Sequence, residues 1–285
     1  MNSREIKRPL DIEGTVILVG SATCGRAAGA LEVLKELREQ VERKGIEARI
    51  FEVGCMGLCS REPIVIIKKP PNPTICYGNI TVELVSRLVD GYLLYDDPCF
   101  ELAIGTVEGS YEEGFKIPEL ERSQYEMKLL TKRCGFIDPE DIEQYIACGG
   151  YSSLEKALDM DPWEIIEEVK RAGLRGLGGA GFPTGLKWEL AKKAEGEPKY
   201  VICNADEGDP GAFMDRIILE SDPHEVIEGM IIAGHAIGSN KGYVYVREEY
   251  PLAIRRLEIA ISQAYEKGLL GDNILGKGFS FDIKL

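Results

Sequence analysis

Gly173-Leu-Arg-Gly-Leu-Gly-Gly-Ala-Gly-Phe-Pro-Thr-Gly-Leu-Lys-Trp188 sets five glycines within nine residues and follows them with Phe182, Lys187 and Trp188. Glycine has no Cβ, so its backbone N–H groups can approach an anion that a side chain would fend off. A helix beginning just beyond the run adds the positive end of its dipole, which favours phosphate. Lys187 brings one mobile cation and Phe182 a flat apolar face. Together they suit a phosphorylated, ring-bearing cofactor such as a flavin or a nicotinamide nucleotide. A plain Gly-rich linker is the competing interpretation, and linkers seldom end in Phe-Pro-Thr-Gly-Leu-Lys-Trp.

Outward from this loop, strands alternate with helices. Lys199 to Cys203 reads as a buried strand, Asp222 to Ile237 as a helix and Tyr243 to Arg247 as a strand. Pro251 to Lys267 is a helix closed by Gly268, and Phe279, Phe281, Ile283 and Leu285 alternate as a last strand. This alternation predicts a largely parallel α/β layer. Asp138-Pro-Glu-Asp141, Asp161-Pro162 and Asp222-Pro223 each read as a helix start, with an acidic N-cap and a proline at the first helical position. Ser152 and Glu155 have capping-box spacing.

The N-terminal part has a different order. Thr15 to Gly20 is a short, continuously apolar run and predicts a buried strand. Ala27, Leu31, Leu34 and Val41 recur at helical spacing. Ala48 to Val53 reads as a second strand leading into Gly54-Cys-Met-Gly-Leu-Cys59. Pro63 to Ile67 and Thr74 to Tyr77 read as further strands, and Val82, Val85 and Val89 mark a closing helix. The β-α-β-β-β-α order is compatible with a thioredoxin-like sandwich. The expected organisation is a thioredoxin-like domain over 1–95, a linker or arm over 96–137 where no period persists, and an α/β domain over 138–285.

Composition narrows the function classes. The chain has 285 residues, 44% hydrophobic and 29% charged, an ordinary balance for a globular protein with two cores. No apolar run approaches the roughly 18–20 residues of a membrane span, and the N-terminus lacks a signal-peptide core. Both favour the cytoplasm, where the eight cysteines are expected as ligands, reactive thiols or buried small residues rather than disulfides. A net charge of −14 argues against a nucleic-acid groove.

Two clusters carry candidate chemistry. Cys55 and Cys59 form a C-x3-C pair flanked by Gly54 and Gly57, a turn able to present two thiolates to iron. Cys24, expected at a helix start where the dipole lowers a thiol pKa, is a natural third ligand; Cys76 is the nearest remaining cysteine. Zinc is a weaker fit, because His224 and His235 are the only histidines, and both read as structural. The other cluster, Asn204-Ala-Asp-Glu-Gly-Asp-Pro-Gly-Ala-Phe213, follows a buried strand and so emerges at its carboxyl end, where open α/β sheets bind ligands. Its acids suit ribose or ribityl hydroxyls; alternatively they bond their own backbone in a turn. Tyr243-Val-Tyr-Val-Arg-Glu-Glu-Tyr250 also ends a strand and places Glu249 where it could meet a ribose.

Taken together, these motifs resemble the flavin- and NADH-binding subunit of respiratory complex I and its relatives in NAD-linked hydrogenases and formate dehydrogenases. Cys-Gly-Phe-Ile-Asp-Pro-Glu from Cys134, Gly-Gly-Tyr-Ser-Ser-Leu-Glu-Lys-Ala-Leu, the glycine loop, Asn-Ala-Asp-Glu-Gly-Asp-Pro-Gly and Tyr-Val-Tyr-Val-Arg-Glu-Glu-Tyr carry that resemblance. Gly-Cys-Met-Gly-Leu-Cys-Ser-Arg-Glu-Pro is similar to the thioredoxin-like 2Fe–2S ferredoxin domain fused ahead of several such subunits. The resemblance implies FMN and NAD(H), electrons passed singly to iron–sulfur clusters, and partner subunits of a hydrogenase, formate dehydrogenase or complex I-like assembly. By motif, Gly176, Gly178, Gly179, Gly181 and Lys187 would hold the FMN phosphate region. Asn204, Asp206 and Glu207 would bind the flavin's polar groups, and Tyr245 and Glu249 would lie near the nucleotide. Phe182 would stack on NADH with Asp209 nearby, and Cys24, Cys55 and Cys59 would serve a 2Fe–2S cluster. No side chain need act as acid or base.

Four departures from the family pattern stand out. Leu177 replaces an arginine of the loop, and Glu248 stands where a small residue is usual. Gly29 occupies the position of the second cysteine in a C-x4-C pair. The chain ends before the family's later Gly-Glu-Glu and 4Fe–4S cysteine motifs, which implies an incomplete flavin pocket. These features also fit a second expectation, a non-catalytic assembly subunit that keeps the fold. A thiol–disulfide oxidoreductase is a distant third, since no C-x-x-C spacing is present.

Overall fold

The structure is a computed structural model and describes residues 8–107, 127–209 and 211–285. It divides into two compact units, one of residues up to Cys148 together with Glu220–Asp222, the other of Gly149–Leu219 and Pro223–Leu285.

In the first unit β1 (Thr15–Gly20) is central. It pairs in parallel with β2 (Ala48–Val53) and antiparallel with β3 (Val65–Lys68); β4 (Ile75–Tyr77) and β5 (Ala103–Thr106) follow, giving the order β2-β1-β3-β4-β5. Helices α1 (Thr23–Ala27) and α2 (Ala30–Arg43) link β1 to β2, and α3 (Val82–Arg87) follows β4. The first four strands have the thioredoxin-like order, and β1 shows why its sequence is apolar throughout. Ile17 and Val19 face one core with Val33, Leu34 and Leu37 of α2, while Val16 and Leu18 face another with Val53, Ile64 and Ile66. Both faces of the strand are buried, so strict alternation is lost. Each such side chain taken fully out of water stabilises the unit by about 1.5–3 kcal/mol.

The helix read across Ala27 to Val41 is two helices, broken at Gly29, whose φ of +100° suits a residue without a Cβ. β5 lies within the stretch expected to be an arm. Its four residues, Ala-Ile-Gly-Thr, are too few to show a period, and the strand is made by pairing with β4. The remainder of that arm over 108–126 lies outside the described residues. Phe136 packs against the Val16–Leu18 face, so the first unit runs past the expected boundary at 138 and includes α4 (Ile142–Ala147).

The other unit holds α5 (Ser152–Leu158), α6 (Pro162–Arg171) and α7 (Thr184–Lys193), then a parallel sheet of β6 (Val201–Ala205), β7 (Lys241–Val246) and β8 (Asp282–Lys284) in that order. The chain between β6 and β7 carries α8 (Met214–Ser221) and α9 (Pro223–Ile237), and α10 (Pro251–Glu266) lies between β7 and β8. α9 packs on α5, α6 and α7 and on β6 and β7, so it is the beam on which the loops of this unit rest. Ile165 and Ile166 of α6 meet Ala236 and Ile232 of α9 and Trp188 of α7. No described helix is long and apolar enough to cross a membrane.

Three helix starts repay comparison. Asp161 caps α6 as expected: its side chain accepts from Trp163 N–H at 2.8 Å, and Glu164 completes a capping box. Ser152 and Glu155 form no box. Tyr151 is the N-cap, at φ +62°, and the N–H groups of Tyr151 and Leu154 are taken by Glu228 of α9 at 2.9 and 3.0 Å. A buried carboxylate from another helix outcompetes the local hydroxyl because it brings a full charge to the N-terminal dipole. Asp138 does not cap α4 either; it closes a turn on Glu140 N–H, and Asp141 is the cap. The last strand is shorter than the alternation of Phe279 to Leu285 implies. Phe279 instead meets the His235 ring, their centroids 5.0 Å apart.

Candidate functional site

The glycine loop joins α6 to α7. Its two ends are pinned by a bridge between Arg175 and Pro183 and by the bonds Gly176 N–H to Phe182 O and Thr184 N–H to Leu174 O, both 2.9 Å. Arg175 Nε donates to Gly181 O at 2.7 Å and clips the loop from within. Between these ties, Gly178, Gly179 and Ala180 are exposed, and apart from the adjoining residues no described atom lies within 4 Å of where a Cβ on Gly178 or Gly179 would be. Their N–H groups make no hydrogen bond among the described residues. α7 begins at Thr184 with no side-chain cap. Phe182 is 41% exposed, and Lys187 Nζ lies 6.0 Å from its ring centroid. Bare N–H groups, an uncapped helix start, a cation and an exposed ring fit a phosphorylated ring cofactor such as FMN.

The acidic cluster leaves the carboxyl end of β6. Asn204 is the register partner of Tyr245 on β7, and both are exposed on one face of the sheet. Asn204 Oδ1 accepts from Asp206 N–H at 3.1 Å and Asp209 Oδ1 from Gly211 N–H at 3.2 Å, so both shape their own loop. The Asp206 and Asp209 side chains are exposed. Glu207 points the other way. It is 6% exposed, and its carboxylate accepts from the N–H groups of Met214, Asp215 and Arg216 at the start of α8 and from the Tyr250 hydroxyl at 3.1 Å. With both oxygens occupied, Glu207 anchors the loop from below.

Glu249 is exposed and pairs with Arg247, whose guanidinium holds its carboxyl below the usual range. Arg247 also donates to Glu207 O at 2.7 Å. Arg216 lies over the rings of Phe213 and Tyr250, 4.3 and 4.8 Å from their centroids. Arg216 and Arg247 tie the loops after β6 and β7 together, Arg175 clips the glycine loop, and sequence reasoning passed over all three. Arg247 sits inside a quoted motif, so its position at a strand end was the available signal; Arg216 offered none.

In the first unit, Cys24 is the second residue of α1 and half-buried, Cys55 is buried and Cys59 is exposed. Within this unit Thr23 N–H and hydroxyl bond Glu220 at 2.9 and 2.5 Å, and Cys55 N–H bonds Ser221 Oγ at 2.9 Å. Burial pushes the Cys55 thiol up to about 11, opposed by the Gly57 N–H and reinforced by Cys59, Glu62 and Cys24. Glu62, three residues past Cys59, is 8% exposed; one oxygen accepts from Ile64 N–H at 3.1 Å and Oε1 has no partner. Burial raises its carboxyl to about 7, against the pull of that N–H. Among the described residues no three Cys, His, Asp or Glu side chains are gathered to hold a single metal ion. A 2Fe–2S cluster makes a different demand, two protein ligands on each iron, toward which this unit offers Cys24, Cys55 and Cys59.

Both histidines are structural. His224 is buried; Nδ1 faces the Tyr151 hydroxyl at 2.8 Å and Nε2 meets Gln263 Oε1 at 3.1 Å. Burial lowers its pKa to about 4 despite the Gln263 bond, so the ring is neutral.

Comparison with known proteins gives three kinds of likeness. Residues 169–285 match the family model described as the Nuo51 FMN-binding domain. The NADP-reducing hydrogenase subunit HndC of Solidesulfovibrio fructosivorans is 59% identical over 160 residues, covering 56% of this chain and 32% of the relative. The NAD-reducing hydrogenase HoxS subunit alpha of Cupriavidus necator is 35% identical over 252 residues, 83% of this chain and 36% of the relative. The chain thus spans about a third of the length of these curated relatives. A crystal structure of NAD+-reducing [NiFe]-hydrogenase in the H2-reduced state aligns over 95% of this chain and 42% of that one, with 23% identity and a TM-score of 0.40.

Proposed function

We propose that this chain acts as the flavin- and nicotinamide-binding part of an electron-transfer subunit in an NAD-linked hydrogenase, formate dehydrogenase or complex I-like assembly in the cytoplasm. The α/β unit binds FMN and NAD(H), and the thioredoxin-like unit relays electrons through a 2Fe–2S cluster. The observation that carries this reading is the glycine loop, with unbonded N–H groups leading into the uncapped start of α7 beside Lys187 and Phe182. The match of residues 169–285 to an FMN-binding family supports it.

FMN, when bound, supplies the exchange between a two-electron nicotinamide and one-electron acceptors. The chain's own residues bind and orient. Gly178, Gly179 and Gly181 offer backbone donors to phosphate, Gly176 closes the loop through its own bond to Phe182 O, and Lys187 adds a compact cation. Asn204, Asp206 and Asp209 present acceptors at the carboxyl end of β6 for ribityl or ribose hydroxyls. Tyr245 and Glu249 do the same from β7, and Phe182 offers a face to the nicotinamide ring. Glu207 contributes through position, holding the acidic loop on α8.

The test is an anaerobic visible spectrum of the purified chain with acid extraction of flavin. Flavin near one per chain, bleached by NADH, supports the reading; a chain that stays colourless after incubation with FMN overturns it. A second reading, an assembly subunit without cofactor, is favoured by Leu177, 61% exposed where the family has a cation. That same colourless result is what it expects.

A further inference from the structure

Where β3 and β5 end beside the end of α4, the first unit holds a half-open cavity of about 850 Å3. That volume is within the range of small-molecule sites, and every lining residue belongs to this unit. Four cations, Arg8, Lys68, Lys132 and Arg133, line it against one acid, Asp11, in a chain whose net charge is −14. The two arginines are already matched. Arg8 pairs with Asp11 through two bonds, 2.5 and 2.9 Å. Arg133 makes a buried pair with Asp222 at 2.6 Å, its guanidinium over the Tyr145 ring. The excess charge therefore rests on the two lysines. Lys68 Nζ donates to Leu10 O and Ile12 O, both at 2.7 Å, which leaves the third of its N–H groups unspent. Lys132 is exposed and pairs with no described acid. Leu10, Phe136 and Ile137 add an apolar wall. Two ammonium groups on one cavity repel each other, and an anion bound there turns that cost into attraction. A bare phosphate would leave the apolar wall uncovered, whereas a phosphate that carries a ring uses both parts of the lining.

We propose that this cavity is a second ligand site, for a nucleoside phosphate. Its phosphates meet Lys68 and Lys132, and its base lies against Phe136. Arg8 and Arg133 stay with their carboxylates and hold the walls. The site goes beyond the flavin- and nicotinamide-binding reading and does not depend on it, since no residue of the α/β unit lines the cavity.

Cys148, half-buried in the same lining, reports occupancy. The test is its alkylation rate by iodoacetamide in the full chain, followed by peptide mass spectrometry with magnesium-free ATP, pyrophosphate or adenosine present. The pH is held fixed, because burial keeps this thiol above its usual range against the pull of Arg8 and Arg133. Saturating ATP is expected to slow the reaction about tenfold or more, as a ligand that fills the cavity excludes the reagent. Pyrophosphate is expected to protect more weakly, and adenosine least. Lys132→Glu, a change at an exposed side chain, is expected to raise the half-protecting ATP concentration about tenfold or more, and Lys132→Arg less than about threefold. Gly178→Ala is expected to be protected as wild type is. Unslowed alkylation in ATP, or equal protection of wild type and Lys132→Glu, overturns the site. Equal protection by pyrophosphate and ATP overturns the nucleoside assignment, and loss of protection in Gly178→Ala moves the ATP to the glycine loop and overturns the inference. Flavin extraction from the same preparation reports on the α/β unit separately, so failure of one reading is distinguishable from failure of the other.

Discussion

As sequence, the cysteine loop of the thioredoxin-like unit resembles the glycine loop of the α/β unit, since each sets candidate ligand groups among glycines beside a helix. Their surroundings differ completely. Around Cys24 and Cys55 the glycines exist because there is no room: a Cβ on Gly25 would run into the Gly20 carbonyl oxygen and reach Glu62. Around Gly178 and Gly179 they exist because there is too much room, and apart from the adjoining residues nothing described stands within 4 Å. Glycine thus permits close approach of the chain to itself in one loop and of a ligand in the other. The cysteine loop is shaped before anything binds, whereas the glycine loop keeps its N–H groups for a partner outside the chain.

Mutation breaks this contrast most forcefully at Gly25. Gly25→Ala is expected to destabilise the first unit by roughly 3 kcal/mol or more, because the added methyl meets backbone rather than a movable side chain. Urea unfolding followed by circular dichroism reads it, and a change of under about 0.5 kcal/mol would refute the closed loop.

The body beneath the open loop is itself closed, and pH tests that. Unfolded His224 titrates near 6.5 and the folded ring near 4. Between those values the unfolded chain binds the extra proton, so stability is complete above 6.5 and falls as pH drops through 4. The full effect is about 3 kcal/mol. Unfolding free energies from pH 7.5 to 4 in wild type and His224→Gln provide the check; parallel curves would mean that the ring is already solvated.

Glu207 joins the two situations, a buried anchor under an exposed loop. Glu207→Gln removes the charge at the start of α8 and is expected to cost about 2 kcal/mol. It should also weaken flavin binding through disorder of the loop, seen as a higher Kd in fluorescence titration. An unchanged melting temperature with weakened binding would place Glu207 on the ligand instead. The smallest stability effect belongs to Gly178→Ala, within about 0.5 kcal/mol of wild type, with flavin affinity lowered about tenfold where a phosphate sits on the loop. Equal affinity in the two proteins would remove that loop from the binding site.

Much of the architecture was legible without coordinates. β1 and β2 begin and end where the sequence places them, α9 starts at Pro223 as the Asp222-Pro223 signal predicts, and α10 starts at Pro251, the first residue of the helix read there. The glycine loop, Lys187 and Phe182 were legible because consecutive residues carry their chemistry. β5 was not, since four residues become a strand only by pairing with a neighbour. Arg216 and Arg247 were missed because their partners lie on other elements, and Glu62 because burial, absent from any one-dimensional pattern, is what makes it unusual.

The helix starts mark the division. Asp161 caps α6 through Trp163 and Glu164, within one turn of chain, and that was determined by the sequence itself. Glu228 capping α5 and Glu207 capping α8 are decisions of the tertiary structure. In both, a carboxylate brought from a distance meets a helix dipole in a water-poor setting, where a charged acceptor is worth more than a nearer hydroxyl. Hydrophobic period and local turn chemistry act over a few residues and can be read from one chain. Burial, the orphaned oxygen of Glu62 and the open space at Gly178 depend on what the rest of the fold brings near, and exist only once it has formed.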